Sequence, residues 1–476
     1  MKLLYLGPEL TPFSSGGSTG SLLSELAHAA ARAGHEVTVV SPYRTEAAPQ
    51  KHGLARRLQT VEVSVAHQPR ECVLFEGSLR SRGGEVLLLQ QELFDGGAHA
   101  GERGDDHQAA FLLAQATLQL LEGRSSLPDV IHCVGWQSGF FPLLLARHPR
   151  LSGIPVVFSF DDPAALGLHS AGILEELGIG YDHFTPDGIE FHGQVSLLKA
   201  GILFSERVVV PSEAMVAELQ TEDGGAGLHG LYNAHADKLV GVLPGLAFDI
   251  WSPKAGLHLA AGFDLADCSP KAATKGELQA RLGLRRRGSP LLLCAGPFDE
   301  ADGVEALLAR GDELMASKLQ VVFAGVADDT RRAALKRFAA GQRERVAIVG
   351  ETNVDDDLWH TMLGAADGLL LLRDSADRRL LLPRALRFGA IPIVPASGAL
   401  AERVADFDPV GRTGNGFCFV EGDVESQLSA LRRFAQILDA GSQSATALRS
   451  NAMQLDVGWG RSWALLERHY HALLVA

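Results

Sequence analysis

The chain has 476 residues, 46% of them apolar and 21% charged, with a formal net charge of −14 at pH 7. That length exceeds one ordinary core and favours two domains of about 200 residues. The acidic balance argues against nucleic acid and anionic membrane surfaces as partners, and no run reaches the roughly 18 uncharged apolar residues of a membrane span. Glycine is abundant at 52 residues, above the usual ~7%, which suits a fold with many tight strand-to-helix turns. Cys72, Cys133, Cys268, Cys294 and Cys418 are scattered without a CxxC pair. Buried thiols in a reducing, cytoplasmic compartment are therefore expected, not disulfides or zinc.

In chain order, residues 2–6 predict a strand, 8–20 (PELTPFSSGGSTG) a Gly-rich loop, 21–34 an amphipathic helix and 37–40 a second strand. This is a Rossmann-like opening. Further strands are expected around 61–65, 73–75, 86–89, 129–133, 155–160, 207–211 and 238–244, with helices over 108–121 and 137–146. The stretch 183–201 carries PDG and HG turn signals, then a helix ending near Gly201. Residues 254–275 have little periodicity and read as a linker. A second series begins at 291, with strands at 291–295, 319–324, 345–349, 368–372 and 391–394, and an aromatic-rich helix closes the chain at 456–476. Two successive α/β series predict doubly wound domains over 1–250 and 251–455, facing a central cleft, with the helix 456–476 packing back on the first domain.

The stretch 291–310, LLLCAGPFDEADGVEALLAR, carries the most chemical information. A buried strand is broken at Gly296–Pro297 and followed by a helix with Val304, Leu307 and Leu308 on one face. A loop at the carboxyl end of such a strand faces the ligand crevice, and the next helix N-terminus suits an anion. Yet the loop carries Asp299, Glu300 and Asp302, with no Lys or Arg before Arg310. A phosphate approaching here is expected to meet three carboxylates, although acids at a helix start also complement its dipole on a solvated surface.

A series of motifs then runs through the chain: PDVIHC followed by Trp136–Gln137, GIPVVFSF, FTPDGIEFHG, LLKAGILFSERVVVPS, KLVGVLPG, PKAATKGELQARLGL, AADGLLLL, LRFGAIPIV and DVGW. In order and spacing these resemble bacterial glycogen synthases and plant starch synthases, nearly end to end. The resemblance implies a GT-B fold of two Rossmann-like domains and retaining transfer of glucose from ADP-glucose to an α-1,4-glucan. It implies no metal and no other cofactor. Such a reaction needs cations and N–H donors for the diphosphate leaving group and an oxygen near the cation-like anomeric carbon.

Set against the family's motifs, the charge-handling positions change together. The lysine of its KTGGLGD loop corresponds to Ser15 and the aspartate to Ser21, while Gly17 and Gly20 persist and leave backbone N–H groups open to an anion. The histidine of TIHN corresponds to Asp161. The arginine and lysine that grip the diphosphate correspond to Pro297 and Asp302. The glutamate of EPCGLTQ corresponds to Ala376 and its glycine to Arg379. Frame positions persist at Trp136, Asp187, Gly188, Lys199, Trp251 and Trp459. Losses on this scale imply roughly 10³-fold or more in rate.

Each candidate also has a plainer reading. Asp161–Asp162 makes either an acid/base pair or a capped turn before Pro163. His169, His183 and His192 show no metal-ligand spacing. Arg373, Arg378, Arg379, Arg384 and Arg387 form either a phosphate grip centred on Arg378 and Arg379 or a salt-bridge network. Trp136, Phe184, Phe191 and Trp251 either stack on sugars or fill cores, and Lys199 with Asp187 and Glu190 forms either a catalytic set or a structural ion pair. The candidate anion cleft is Gly17, Gly20, Asp302, Gly303, Arg378 and Arg379; the candidate glucan contacts are Trp136, Asp161, Phe184 and Asp187. Two functions are expected to compete. One is a catalytically degenerate relative that binds α-glucan or an active enzyme of glycogen metabolism. The other is a transferase with a modified site.

Overall fold

A computed structural model describes residues 1–14, 17–44, 52–79, 84–95, 106–286, 288–350, 356–439 and 443–475. The chain divides into two compact units, Met1–Gly245 with Trp459–Ala476, and Leu246–Gly458. The boundary therefore falls at Gly245, five residues before the position expected from sequence, and the second unit runs three residues further, to Gly458.

Unit 1 contains β1 (Lys2–Leu6), β2 (Glu36–Pro42), β3 (Ala55–Val65), β4 (Gln68–Ser78), β5 (Glu85–Gln90), β6 (Val130–Val134), β7 (Val156–Ser159), β8 (Leu168–Ser170), β9 (Glu190–Phe191), β10 (Gln194–Ser196), β11 (Arg207–Val210) and β12 (Leu239–Gly241). Among the described residues, nine of these form one sheet in the order β12-β11-β7-β6-β1-β2-β5-β4-β3. The pairs from β12 to β5 are parallel, and β4 and β3 add an antiparallel hairpin. The central strands are mostly apolar and buried, β6 reading VIHCV with every residue buried, as a sheet covered on both faces requires. Helices α1 (Ser18–Arg32) and α2 (Asp106–Glu122) belong to this unit. The short strands β8, β10 and β9 form a separate antiparallel sheet that the turn signals did not disclose, and α3 (Leu197–Leu203) follows it.

Unit 2 contains β13 (Leu291–Ala295), β14 (Gln320–Ala324), β15 (Val346–Val349), β16 (Gly368–Leu370), β17 (Ile391–Pro395) and β18 (Phe417–Phe419), all parallel, in the order β15-β14-β13-β16-β17-β18. Its helices include α4 (Lys271–Arg281), α5 (Val304–Ala309), α6 (Asp356–Ala365) and α7 (Ala376–Arg387). The reading of 254–275 as a linker is corrected: the stretch lies within unit 2, and α4 begins inside it. Lys271 is 4% exposed and donates to the carbonyls of Leu363 (2.8 Å) and Phe388 (3.0 Å), near the carboxyl ends of α6 and α7. A buried lysine looks polar in a periodicity count, which hides the helix. The last helix, α8 (Trp459–Val475), belongs to unit 1.

Each parallel sheet has one place where strand order reverses, between β1 and β6 in unit 1 and between β13 and β16 in unit 2. Ligands of open α/β sheets sit outside the carboxyl ends of the strands at such a point.

Candidate functional site

In unit 1 the loop after β1 leads into α1. Gly17 is the residue before the helix. A methyl group at Gly17 would lie 2.6 Å from Oε2 of Glu9, and one at Gly20 would lie 3.0 Å from Glu9 Cβ. At Gly17 the space a side chain would fill is taken by the Glu9 carboxylate, and at Gly20 by the Glu9 β-carbon and the backbone of Glu9 and Leu10. Ser15 lies outside the described residues.

The unit 1 candidates separate. Trp136 is 9% exposed, and a Cβ on Gly167 would fall 2.4 Å from its ring. Its ring is largely enclosed within unit 1. Asp161 is half-buried just past β7, while Asp162 accepts from the Ala164 N–H at 2.9 Å, the capped-turn geometry before Pro163. Phe184 is half-buried, with Tyr181, 51% exposed, edge-on to it at 6.1 Å between ring centres. Asp187 is exposed. Lys199 is buried and donates to the carbonyls of Pro186 (2.5 Å) and Glu190 (2.8 Å), and burial lowers its pKa. It therefore fixes the loop 186–190 through main-chain atoms, while the charges of the Asp187 and Glu190 carboxylates oppose the lowering. Phe191 is half-buried against exposed His192, whose positive φ of 49° places it in the tight β9–β10 turn.

In unit 2 the loops after β13 and β16 meet through charge. Asp302 and Arg378 form an ion pair at 2.5 Å with both side chains at 0% exposure. Arg378 also donates to the carbonyl oxygens of Ala295 (3.1 and 2.9 Å) and Pro297 (3.1 Å) at the end of β13. Arg373 binds Asp299 at 2.9 Å and places its Nε 3.6 Å from Asp302. Arg379 binds Asp374 at 2.7 Å. Burial pushes the Asp302 carboxyl above its ordinary value, and the guanidinium of Arg378 opposes that shift. Gly303 has φ 68° at the start of α5, a conformation that L side chains rarely adopt. Ala376 is the first residue of α7.

Two expectations are corrected here. Asp302 does not face an incoming phosphate, because α7 brings Arg378 onto it from 76 positions along the chain. Arg378 is not an open phosphate grip, because backbone carbonyls and Asp302 engage it. Arg384 and Arg387 lie apart from this network, with their guanidinium carbons 4.0 Å from the Trp251 ring centre and 4.6 Å from that of Phe248. Such cation–π contacts belong to packing, and Trp251, 2% exposed, is a core residue that also stacks on His360 at 4.0 Å. Among the described residues no group of three His, Cys, Asp or Glu side chains is placed to hold a metal ion, and no helix is long and apolar enough to cross a membrane.

Two units built on doubly wound parallel sheets, each with a Gly-bearing strand-to-helix loop at its reversal point, define the class: a two-unit α/β protein of the GT-B type. The catalytic domain of starch synthase IV from Arabidopsis thaliana, whose structure was solved bound to ADP and acarbose, superposes with a TM-score of 0.90 at 24% identity, over 100% of this chain and 99% of that one. Residues 2–234 match the family described as starch synthase catalytic domain. The glycogen synthase of Anaeromyxobacter sp. (strain Fw109-5) is 32% identical over 99% of both chains, and that of Myxococcus xanthus (strain DK1622) is 30% identical over 100% of both. The chain belongs to the glycogen synthase/starch synthase family and is a glycosyltransferase of glycogen synthase type.

Proposed function

We propose that this protein acts by binding α-glucan and does not transfer glucose from ADP-glucose at the rate of a working synthase. One observation carries the reading: each arginine around the unit 2 reversal point is matched to a carboxylate of the same chain, Arg373 to Asp299, Arg378 to Asp302 and Arg379 to Asp374. A diphosphate leaving group needs preorganised positive charge that is not already neutralised. Pro297 and Ala376 supply neither cation nor acid. Glucan recognition is supported by the polar and aromatic loop 181–192, which retains exposed Tyr181 and Asp187 over a rigid Lys199 anchor.

A second reading, a transferase with a modified site, draws on the comparisons: identity to curated glycogen synthases extends over essentially the whole length, and starch synthase IV holds ADP on the same fold. One assay separates the two. Purified protein is incubated with glycogen and radiolabelled ADP-glucose or UDP-glucose, and glycogen binding is measured by co-sedimentation. Binding to glycogen with transfer reduced about 10³-fold or more relative to a synthase is the expected result. Turnover at an ordinary rate of about 10 s⁻¹ refutes it in favour of the second reading.

A further inference from the structure

The chain is acidic overall, with a formal net charge of −14, yet one end of unit 2 carries the opposite sign. The segments 281–286, 317–320 and 337–345 hold seven Lys or Arg and a single acid, Glu344. They lie at the carboxyl ends of α4, of the helix Gly311–Ala316 and of the helix Asp329–Gly341, and they lead to the amino ends of β13, β14 and β15. Ligands of such sheets sit at the opposite, carboxyl ends of the strands. Hydrogen bonds tie the three segments into one ledge. The Arg285 N–H donates to the Glu344 carbonyl at 2.8 Å, and the Gln320 N–H to the Pro290 carbonyl at 3.0 Å. The Gln320 side chain, 2% exposed, donates to the Arg285 carbonyl at 2.7 Å and accepts from the Gln279 amide at 2.7 Å. Arg345 belongs to this frame, its guanidinium donating to the carbonyls of Met315 (2.6 Å) and Leu319 (3.3 Å).

The other six cations, Arg281, Arg285, Arg286, Lys318, Arg337 and Arg343, are exposed. Among the described residues none of the six has a carboxylate partner, whereas Arg310, Arg331, Arg332 and Arg432 of the same unit are each paired. A cation in the last turn of a helix answers its dipole, as Arg281 does at the end of α4; Arg285 and Arg286 lie past that end, where the effect has faded. Lys318 holds φ 56°, a conformation that glycine adopts at less cost. We propose that this ledge docks an acidic polypeptide segment of a partner protein. Planar guanidinium groups receive a carboxylate through two parallel hydrogen bonds, and a frame already fixed lowers the ordering cost of binding. Charge decides the kind of partner. A nucleic acid or a membrane is large enough to meet the acidic remainder of the surface as well. A short acidic segment meets the ledge alone, because salt screens it from charges farther off than about 8 Å. This surface lies in unit 2 and owes nothing to glucan binding, so the two readings stand or fall separately.

The test uses the full chain and two fluorescein-labelled probes of equal length, a dodecapeptide of glutamate and a thymidine dodecanucleotide, with binding read by fluorescence anisotropy. One variant reverses the α4 side of the ledge, Arg281→Glu with Arg285→Glu and Arg286→Glu. A second reverses the other side, Lys318→Glu with Arg343→Glu. A control makes the same change of charge on exposed cations of unit 1, Arg56→Glu with Arg150→Glu and Arg461→Glu. The native chain is expected to bind the glutamate peptide, and each ledge variant to bind it about tenfold or more weakly, while the control stays within about twofold of native. Raising salt from about 50 to about 200 mM is expected to weaken the native complex more than that of either ledge variant. Equal weakening by the control and the ledge variants would show a diffuse response to net charge and overturn the proposal. Tighter binding of the oligonucleotide than of the peptide would overturn it in favour of nucleic acid. If the triple ledge variant does not fold, the Lys318→Glu with Arg343→Glu variant decides by the same comparison.

Discussion

At the scale of single residues, burial governs what each titratable group does. His132 on β6 is 2% exposed and lies between Ser159 Oγ, hydrogen-bonded to its Nε2, and Tyr470 OH, 2.5 Å from its Nδ1, with Tyr5 OH a further 3.3 Å from Tyr470. Burial lowers its pKa from 6.5 to about 3. The unfolded chain therefore takes up a proton as pH falls below 6.5 while the native chain does not until about pH 3, so stability present above pH 6.5 is lost across that window. At about 1.36 kcal/mol per pKa unit, the full span is on the order of 5 kcal/mol. Urea melts of the native chain and of His132→Gln between pH 7 and pH 4 check this; the variant's stability is expected to fall less steeply, by close to one proton. The same residue-by-residue logic separates what the sequence discloses about the site from what it hides. That the loop 296–303 brings no lysine or arginine of its own is plain in the letters. The pairing of Asp302 with Arg378 is not, because contact between residues 76 apart is set by how β13 and α7 pack, and a buried acid is spelled like an exposed one.

At the scale of elements, most strands of the two large sheets were legible because parallel strands covered on both faces are short apolar runs, as β13 (LLLCA) is. Strands β8, β9 and β10 escaped because two or three residues carry no periodicity, and β18 (FCF) escaped for the same reason. Helix α4 shows the complementary failure: its most informative buried residue, Lys271, is charged. Lys271 has its pKa lowered by burial to about 7. Its ammonium hydrogen-bonds to carbonyls near the negative ends of two helix dipoles, α6 and α7, where a cation is favoured. Lys271→Met fills the space with a similar chain and removes both donors, leaving two buried carbonyls without partners. A loss of about 2–4 kcal/mol in unit 2 is expected, read from chemical denaturation and from faster amide exchange in the last turns of α6 and α7. An unchanged melt would mean that water replaces the amine and that the helix ends do not depend on it.

For the whole molecule, the decisive fact is that unit 1 is not continuous in sequence. It is opened at Gly245 and completed only by α8, which returns after more than two hundred residues of unit 2. Four buried side chains of α8, Trp459, Trp463, Leu466 and Tyr470, join the cluster that contains Leu3, Tyr5, Leu23 and Leu26. Trp459 Nε1 donates to Glu25 at 2.9 Å, and Glu467 pairs with His35 at 2.7 Å. Burial of a large apolar side chain contributes about 1.5–3 kcal/mol, so these four together contribute roughly 6–12 kcal/mol before chain entropy is subtracted. That is comparable to the entire stability of about 5–15 kcal/mol typical of a domain. A chain ending at residue 458 is therefore expected to keep a folded 246–458 and to lose the structure of 1–245. Limited proteolysis with mass spectrometry reads this directly, as rapid cleavage within 1–245 beside a persisting fragment from 246–458. Equal resistance of 1–245 in the truncated and full chains would show that the sheet of unit 1 is stable without its last helix. The same arrangement makes the closing contacts of unit 1 among the most distant in sequence, and contacts of that kind carry a high loop-closure cost and form slowly. Refolding monitored by Trp459 and Trp463 is accordingly expected to lag behind recovery of backbone circular dichroism, since the indoles reach their buried sites only when the final helix docks.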